Sequence, residues 1–134
     1  VIMKRYCGVL PFSALCIAVA TPAAIADPIG CWKLPDEDGA SINKVEACQW
    51  TKLCAKVAKE AKTGEPTKAQ VGKVIIDGAV KDPGGKKWTG KIYVFRFKRD
   101  ADVTVTEANS DKLKVEGCVG PICAKRDWTR TTCP

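Results

Sequence analysis

Two short loops are each bracketed by cysteines, CQWTKLC at 48–54 and CVGPIC at 118–123, and they constrain this chain more than any other feature. Of the 8 cysteines in the 134 residues, six lie after residue 26. An even set in so short a stretch reads as a disulfide framework if the chain folds in an oxidising compartment. The first 26 residues argue that it does. Lys4 and Arg5 precede an apolar run, and Ala24, Ile25 and Ala26 form an A-x-A cleavage site before Asp27, the three-part pattern of a secretory signal. The run from Tyr6 to Ala20 is broken by Pro11 and falls short of the roughly 18 to 20 residues that span a bilayer, and Leu15 ahead of Cys16 disfavours a lipoprotein. The expected organisation is a cleaved signal peptide over 1–26 and a single exported domain over 27–134. Those 108 residues suffice for one modest core, and without Lys4 and Arg5 the formal charge falls from +7 to +5.

The segments after residue 26 are short and are separated by turn chemistry: PDEDG at 35–39, KTGEP at 62–66, DPGGKK at 82–87 and NSD at 109–111. Between them runs two-residue alternation. In WTGKIYVFRFK, Trp88, Gly90, Ile92 and Val94 share one face and Tyr93, Phe95 and Phe97 the other; Val103 with Val105, and Leu113 with Val115, repeat the pattern. Eight strands are expected: 30–34, 40–47, 53–58, 73–79, 88–97, 102–107, 112–118 and 124–131. The stretch Ala55 to Lys62 is rich in helix formers; it is read as a strand followed by a loop, with a short helix as the alternative. Short antiparallel strands joined by tight turns predict an all-β fold, a small eight-stranded up-and-down barrel, because closure removes the exposed edges of an open sheet. Such a barrel is either just filled, here by Trp88, Ile92, Val94, Val103, Leu113 and Val115, or holds one small ligand.

Each bracketed loop joins consecutive strands, so Cys48 with Cys54 and Cys118 with Cys123 is the simplest pairing. Cys31 and Cys133 then remain, in the first and last strands, which are neighbours in a closed barrel. With Trp32 facing in, alternation turns Cys31 outward, and Cys133 beyond Trp128 and Arg130 likewise. The rival reading is a zinc site of Cys48, Cys54, Cys118 and Cys123. Its spacings are wider than thiolate pairs commonly show and the chain has 0 His, so no metal is expected. Neither pair has the C-x-x-C spacing of a redox motif.

DPIGCW at 27–32, CQWTKLC, GGKKWTGKIY at 84–93 and LKVEGCVGPICAKRDWTR at 113–130 together resemble the bacterial secreted family termed domain of unknown function 2147. The resemblance covers nearly all of 27–134 and implies a periplasmic, lipocalin-like (calycin) barrel. It also implies that the Trp of the Gly-x-Trp opening, Trp32, is covered at the closed end by an Arg of the last strand, Arg130 or in reserve Arg126. The chain departs from the family pattern at Cys31, which with Cys133 fits an added bond; at a shortened 59–71 region; and at VFRFKRDADVTV, 94–105, which replaces a turn.

The absence of His removes Ser-His and Cys-His nucleophiles and His-ligated metals. Asp36, Glu37 and Asp38 sit in a Pro- and Gly-bounded turn where solvated acids are the expectation, and Asp77 and Asp82 also read as turn residues. No enzyme activity and no cofactor are expected. Basic and aromatic residues interleave in KKWTGKIYVFRFKR and GPICAKRDWTR, a pattern for single-stranded nucleic acid, but export removes that partner. What a basic surface meets in an envelope is anionic lipid head groups, lipopolysaccharide or acidic glycans, against the plainer reading of a solvated surface. The expected function is a monomeric, non-enzymatic binding protein that holds a small hydrophobic or amphipathic ligand in the barrel mouth, with Trp50, Trp88, Tyr93 and Phe95 as candidate contacts. The alternative is an inhibitor-like envelope factor that grips a protein through rim loops, with Trp50 as anchor.

Overall fold

A computed structural model describes residues 27–134, so the expected signal peptide over 1–26 lies outside the described residues. Eight strands run β1 Gly30–Lys33, β2 Ile42–Cys48, β3 Lys52–Lys59, β4 Val74–Lys81, β5 Lys87–Val94, β6 Arg99–Asn109, β7 Lys112–Val119 and β8 Ile122–Thr131. Each pairs antiparallel with its sequence neighbours and β8 pairs with β1, so the sheet closes into the barrel that the alternation and turn spacing predict.

Consecutive strands reverse direction, which sorts the connections between two ends. The β1–β2, β3–β4, β5–β6 and β7–β8 connections gather at one end, here called the mouth. The β2–β3, β4–β5 and β6–β7 connections gather at the other, the floor, together with the start of β1 and the end of β8. Two 3-10 turns, Asp36–Asp38 and Lys68–Gln70, lie in mouth connections.

The stretch rich in helix formers is strand. Leu53, Ala55 and Val57 are buried at every second position of β3, while Cys54 and Lys56 between them, and Lys52 ahead of them, lie on the other face. That period-two apolar row has a place only in a sheet, and burial overrides the propensity of Ala, Lys and Glu.

The expected strand 88–97 stops at Val94. Residues 95–98 form a turn in which Lys98 adopts φ 53° and its N–H donates to the Phe95 carbonyl at 3.2 Å. Phe95 and Phe97 therefore leave the alternation. The next strand starts at Arg99 rather than 102, because the charged residues Arg99 and Asp102 pair across the hairpin with Val94 and Lys91, and Lys91 and Asp102 are ion-paired. In the β1–β2 connection, also at the mouth, β2 starts at Ile42 rather than 40, since Ala40 sits at φ 53°, outside the strand region.

Inward positions fill the floor half: Trp32, Leu53, Ala79, Trp88, Val105 and Leu113 are all buried. Gly90 lies among them because a Cβ there would stand 3.0 Å from the Ala79 Cα. At this position only a glycine leaves room for β4 to lie so close to β5.

Three disulfides staple the barrel: Cys31–Cys133, Cys48–Cys54 and Cys118–Cys123, with Cα separations of 5.2, 5.8 and 4.1 Å. Cys31 is buried rather than outward and open. Thr131 pairs with Cys31 and Cys133 follows two residues on, so the bond lays the chain end over that sulfur. Cys48–Cys54 is at the floor and Cys118–Cys123 at the mouth, which leaves no geometry for a four-cysteine zinc site. Glu116 lies near the Cys118 and Cys123 sulfurs, but both are committed to a disulfide and offer no thiolate.

Candidate functional site

The floor is sealed by one residue from each end of the domain. Trp32 is fully buried, its indole Nε1–H donates to the Pro28 carbonyl at 2.9 Å, and the Arg130 guanidinium carbon stands 4.3 Å from its ring centroid. Arg130 is held there by three carbonyls: Ser110 at 2.6 Å, Ile29 at 2.9 Å and Asp27 at 2.8 Å. Gly30 makes room for it, since its φ is +132° and a Cβ would lie 2.7 Å from Arg130 Nη1. The glycine of Gly-x-Trp is thus the space into which the arginine fits. A cation over an indole contributes about 0.5 to 2 kcal/mol.

Arg126, the reserve partner for Trp32, is not at the floor. Four residues nearer the mouth, it donates through Nε to Asp38 Oδ2 at 2.7 Å and pairs with Glu37 at 3.6 Å. It ties β8 to the 3-10 turn of the β1–β2 connection.

The upper half of the barrel is open. A cavity of about 1210 Å³ runs from the mouth down to Trp128, walled by Leu34, Ile75, Ile92, Phe95 and Val115. Its volume matches or exceeds that of ordinary small-molecule sites, roughly 300 to 1,000 Å³. Two small residues account for the space. Ala101 on β6 and Gly117 on β7 face it, and a Cβ built on Gly117 would only just touch Ala101 at 3.9 Å. Of the side chains expected to fill the interior, Trp88, Val103 and Leu113 do so at the floor, whereas Ile92, Val94 and Val115 line the open part.

Two polar side chains are set into this wall: Ser41 and Asn43, 0% and 3% exposed. Ser41 Oγ has no hydrogen-bond partner among the described residues, a costly state for a buried hydroxyl. The rim above them is charged, with Asp36, Glu37, Asp38 and Glu65 on one side and Arg96 and Arg99 on the other.

The four expected contact residues do not converge. Tyr93 and Phe95 line the cavity, packed edge to face at 5.3 Å. Trp88 is buried in the floor core and does not reach the cavity, because its parity, shared with Gly90 and Ile92, points it inward one layer too deep. Trp50 is 97% exposed on the β2–β3 turn, at the floor end. Gln49 and Trp50 both have positive φ, and Gln49 Nε2 donates to Asp77 Oδ1 at 2.9 Å, which anchors the turn beneath the exposed indole.

Sequence reasoning missed three buried polar residues. Asn43 lies in phase with Val45 on β2, and Glu107 in phase with Val103 and Val105 on β6, so extending the strand parity was the signal that marks both. Glu107 faces the floor, and its Oε2 has no hydrogen-bond partner among the described residues. Burial, followed by the nearby Asp27 carboxylate, pushes its carboxyl above the ordinary range against the opposing pull of Lys86, Lys81 and Arg130. Ser41 precedes β2 but lies in the expected strand 40–47 in phase with Asn43 and Val45, so the same parity marks it.

The barrel is similar to a solved structure described as "Protein HP1028 from the human pathogen Helicobacter pylori belongs to the lipocalin family". The TM-score is 0.65 at 14% identity, over 81% of this chain and 85% of that one. At that identity the likeness shows a shared lipocalin-type fold. No curated protein matches the sequence. A family model described as "Uncharacterized protein conserved in bacteria (DUF2147)" matches residues 30–130, from the glycine that admits Arg130 to Arg130 itself, and the chain belongs to that family.

Proposed function

We propose that the protein is a non-enzymatic binder of one small hydrophobic or amphipathic molecule, carried in the mouth half of the barrel. The observation that supports this is the cavity: about 1210 Å³, apolar along most of its wall, with Ser41 and Asn43 buried within it as the polar minority that would orient a ligand. Three disulfides fit an extracytoplasmic, oxidising compartment, and periplasmic or secreted placement belongs to the same reading.

The test is native mass spectrometry of protein purified from its own compartment, beside a Gly117→Leu variant. Leu at 117 enters the space in front of Ala101 without a backbone clash. The wild type should carry a lipid-sized adduct and the variant should lose it. Equal occupancy of the two, or an empty wild type that also takes up no fluorescent fatty acid, would refute the reading.

A protein partner gripping Trp50 is a second reading, favoured by that side chain's 97% exposure on a disulfide-held turn. A photo-crosslinking residue in place of Trp50 should give a discrete adduct in cells, with the same residue at Thr104 as control. Identical patterns at the two positions would dismiss it.

A further inference from the structure

The mouth has two unlike halves. Around the barrel its connections follow in the order β1–β2, β3–β4, β5–β6, β7–β8. The first carries Asp36, Glu37 and Asp38 with no cation, and the second mixes Glu60 and Glu65 with Lys62, Lys68 and Lys73. The other two carry no carboxylate: the β5–β6 turn with its flanks reads Phe95-Arg96-Phe97-Lys98-Arg99, and the β7–β8 turn reads Val119-Gly120-Pro121-Ile122. Because β6 and β7 are paired from Asp102↔Cys118 downward, these two tips are neighbours on one lip.

That lip is apolar at its points and cationic between them. Phe97 is 57% and Ile122 74% exposed. The Arg96 guanidinium lies 5.8 Å from the Phe97 ring, and Lys98 holds the turn's left-handed position. Among the described residues, neither Arg96, Lys98 nor Arg99 is in an ion pair, whereas Arg126, facing the acidic β1–β2 connection, is neutralised by Asp38 and Glu37.

Protein interfaces enrich arginine but deplete lysine, and Phe97 has Arg96 on one side and Lys98, followed by Arg99, on the other. An anionic bilayer fits that arrangement. Its interfacial zone accepts an aromatic and an aliphatic tip while its phosphates meet the flanking guanidinium and ammonium groups, and stable anchoring takes both signals. Trp50, at the opposite end, is a single apolar side chain without such a cluster. We propose that the β5–β6 and β7–β8 tips dock the mouth onto an anionic phospholipid bilayer, with Phe97 and Ile122 entering the interface and Arg96, Lys98 and Arg99 meeting lipid phosphates. Docked so, the cavity opens onto the membrane; the docking itself does not depend on the cavity being occupied.

The experiment is co-sedimentation of the purified protein with phosphatidylglycerol–phosphatidylethanolamine vesicles and with pure phosphatidylcholine vesicles, at low and high salt. Binding to the anionic vesicles alone is expected, weakening as salt screens it. Each cation near such a surface is worth about fivefold in partitioning, so Arg96→Gln/Lys98→Gln/Arg99→Gln should weaken binding on the order of 100-fold. Phe97→Ser/Ile122→Ser tests the same lip through exposed turn positions alone, leaves the melting temperature unchanged, and should weaken binding at least about tenfold. Trp50→Ser should bind as the wild type does. Gly117→Leu, which fills the cavity, should also keep vesicle binding, so loss of ligand and loss of docking are read separately. No binding to anionic vesicles, equal binding to phosphatidylcholine, or loss of binding in Trp50→Ser but in neither lip variant overturns the proposal.

Discussion

Removing Cys31–Cys133 should cost more stability than removing either of the other disulfides, and the structure sets the margin. The β8–β1 ladder that closes the barrel has three residue pairs, Thr129↔Lys33, Arg130↔Trp32 and Thr131↔Cys31, against the long β7–β8 ladder from Ile122↔Val119 to Thr129↔Lys112. The disulfide therefore reinforces one of the two ladders held by only three partner pairs, the other being β4–β5. It spans 102 residues, while Cys48–Cys54 spans 6 and Cys118–Cys123 spans 5. By loop-closure entropy these bonds are worth about 4.7, 2.2 and 2.1 kcal/mol. Cys31 is also buried, so Ala in its place removes a packed sulfur and adds to the loss. Urea unfolding of Cys31→Ala/Cys133→Ala and of Cys48→Ala/Cys54→Ala measures this. The first should be less stable than the second by about 2 to 3 kcal/mol and should show a steeper denaturant dependence, because the freed unfolded chain exposes more surface. Equal losses, or a larger loss in the Cys48→Ala/Cys54→Ala protein, would refute the argument that the barrel is held shut by its first and last strands.

Trp32→Ala removes a fully buried indole and the ring beneath Arg130, and should cost about 3 to 5 kcal/mol in denaturant unfolding while leaving ligand affinity at the mouth within about twofold; the reverse ranking would place Trp32 in the binding site. Gly90→Ala drives a methyl to 3.0 Å from the Ala79 backbone and should lower stability by about 1 to 3 kcal/mol, whereas Gly117→Ala, with 3.9 Å of clearance, should change it little; thermal melts of the pair check the contrast. Burial and Asp27 raise the Glu107 carboxyl, so the folded state holds its proton to higher pH than the unfolded chain does. The stability associated with this group is then fully present below the ordinary carboxylate pKa and is lost as pH rises through the raised folded value. Glu107→Gln should therefore melt higher than the wild type at pH 7 and converge with it at acid pH, and an unchanged difference across that range would sink the assignment.

The frame was legible because it rests on rules that act along the chain. Alternation at Val103 and Val105, and at Leu113 and Val115, places each strand's inner face without knowledge of its partners. Cysteines that bracket a single hairpin loop are near in space whatever the rest does. The register of Arg130 on Trp32 followed from the family's Gly-x-Trp and Trp-Thr-Arg ends. What escaped was set between strands distant in sequence. Phe95 has the same alternation as Tyr93, and only the requirement that β6 return from Arg99 to pair with Val94 lifts it out of the strand and onto the rim. Trp88 and Ile92 are equivalent by parity, yet one is core and the other cavity wall, because depth along the barrel axis is fixed by the stagger of all eight strands. The cavity exists because β6 offers Ala101 and β7 offers Gly117 as near neighbours, the Ala101 Cβ lying 3.9 Å from where a Gly117 Cβ would stand. Neither residue signals a pocket by itself, and their meeting across the β6–β7 ladder, with Asn43 buried in the same wall, turns a barrel that its larger side chains could have filled into one with room for a guest.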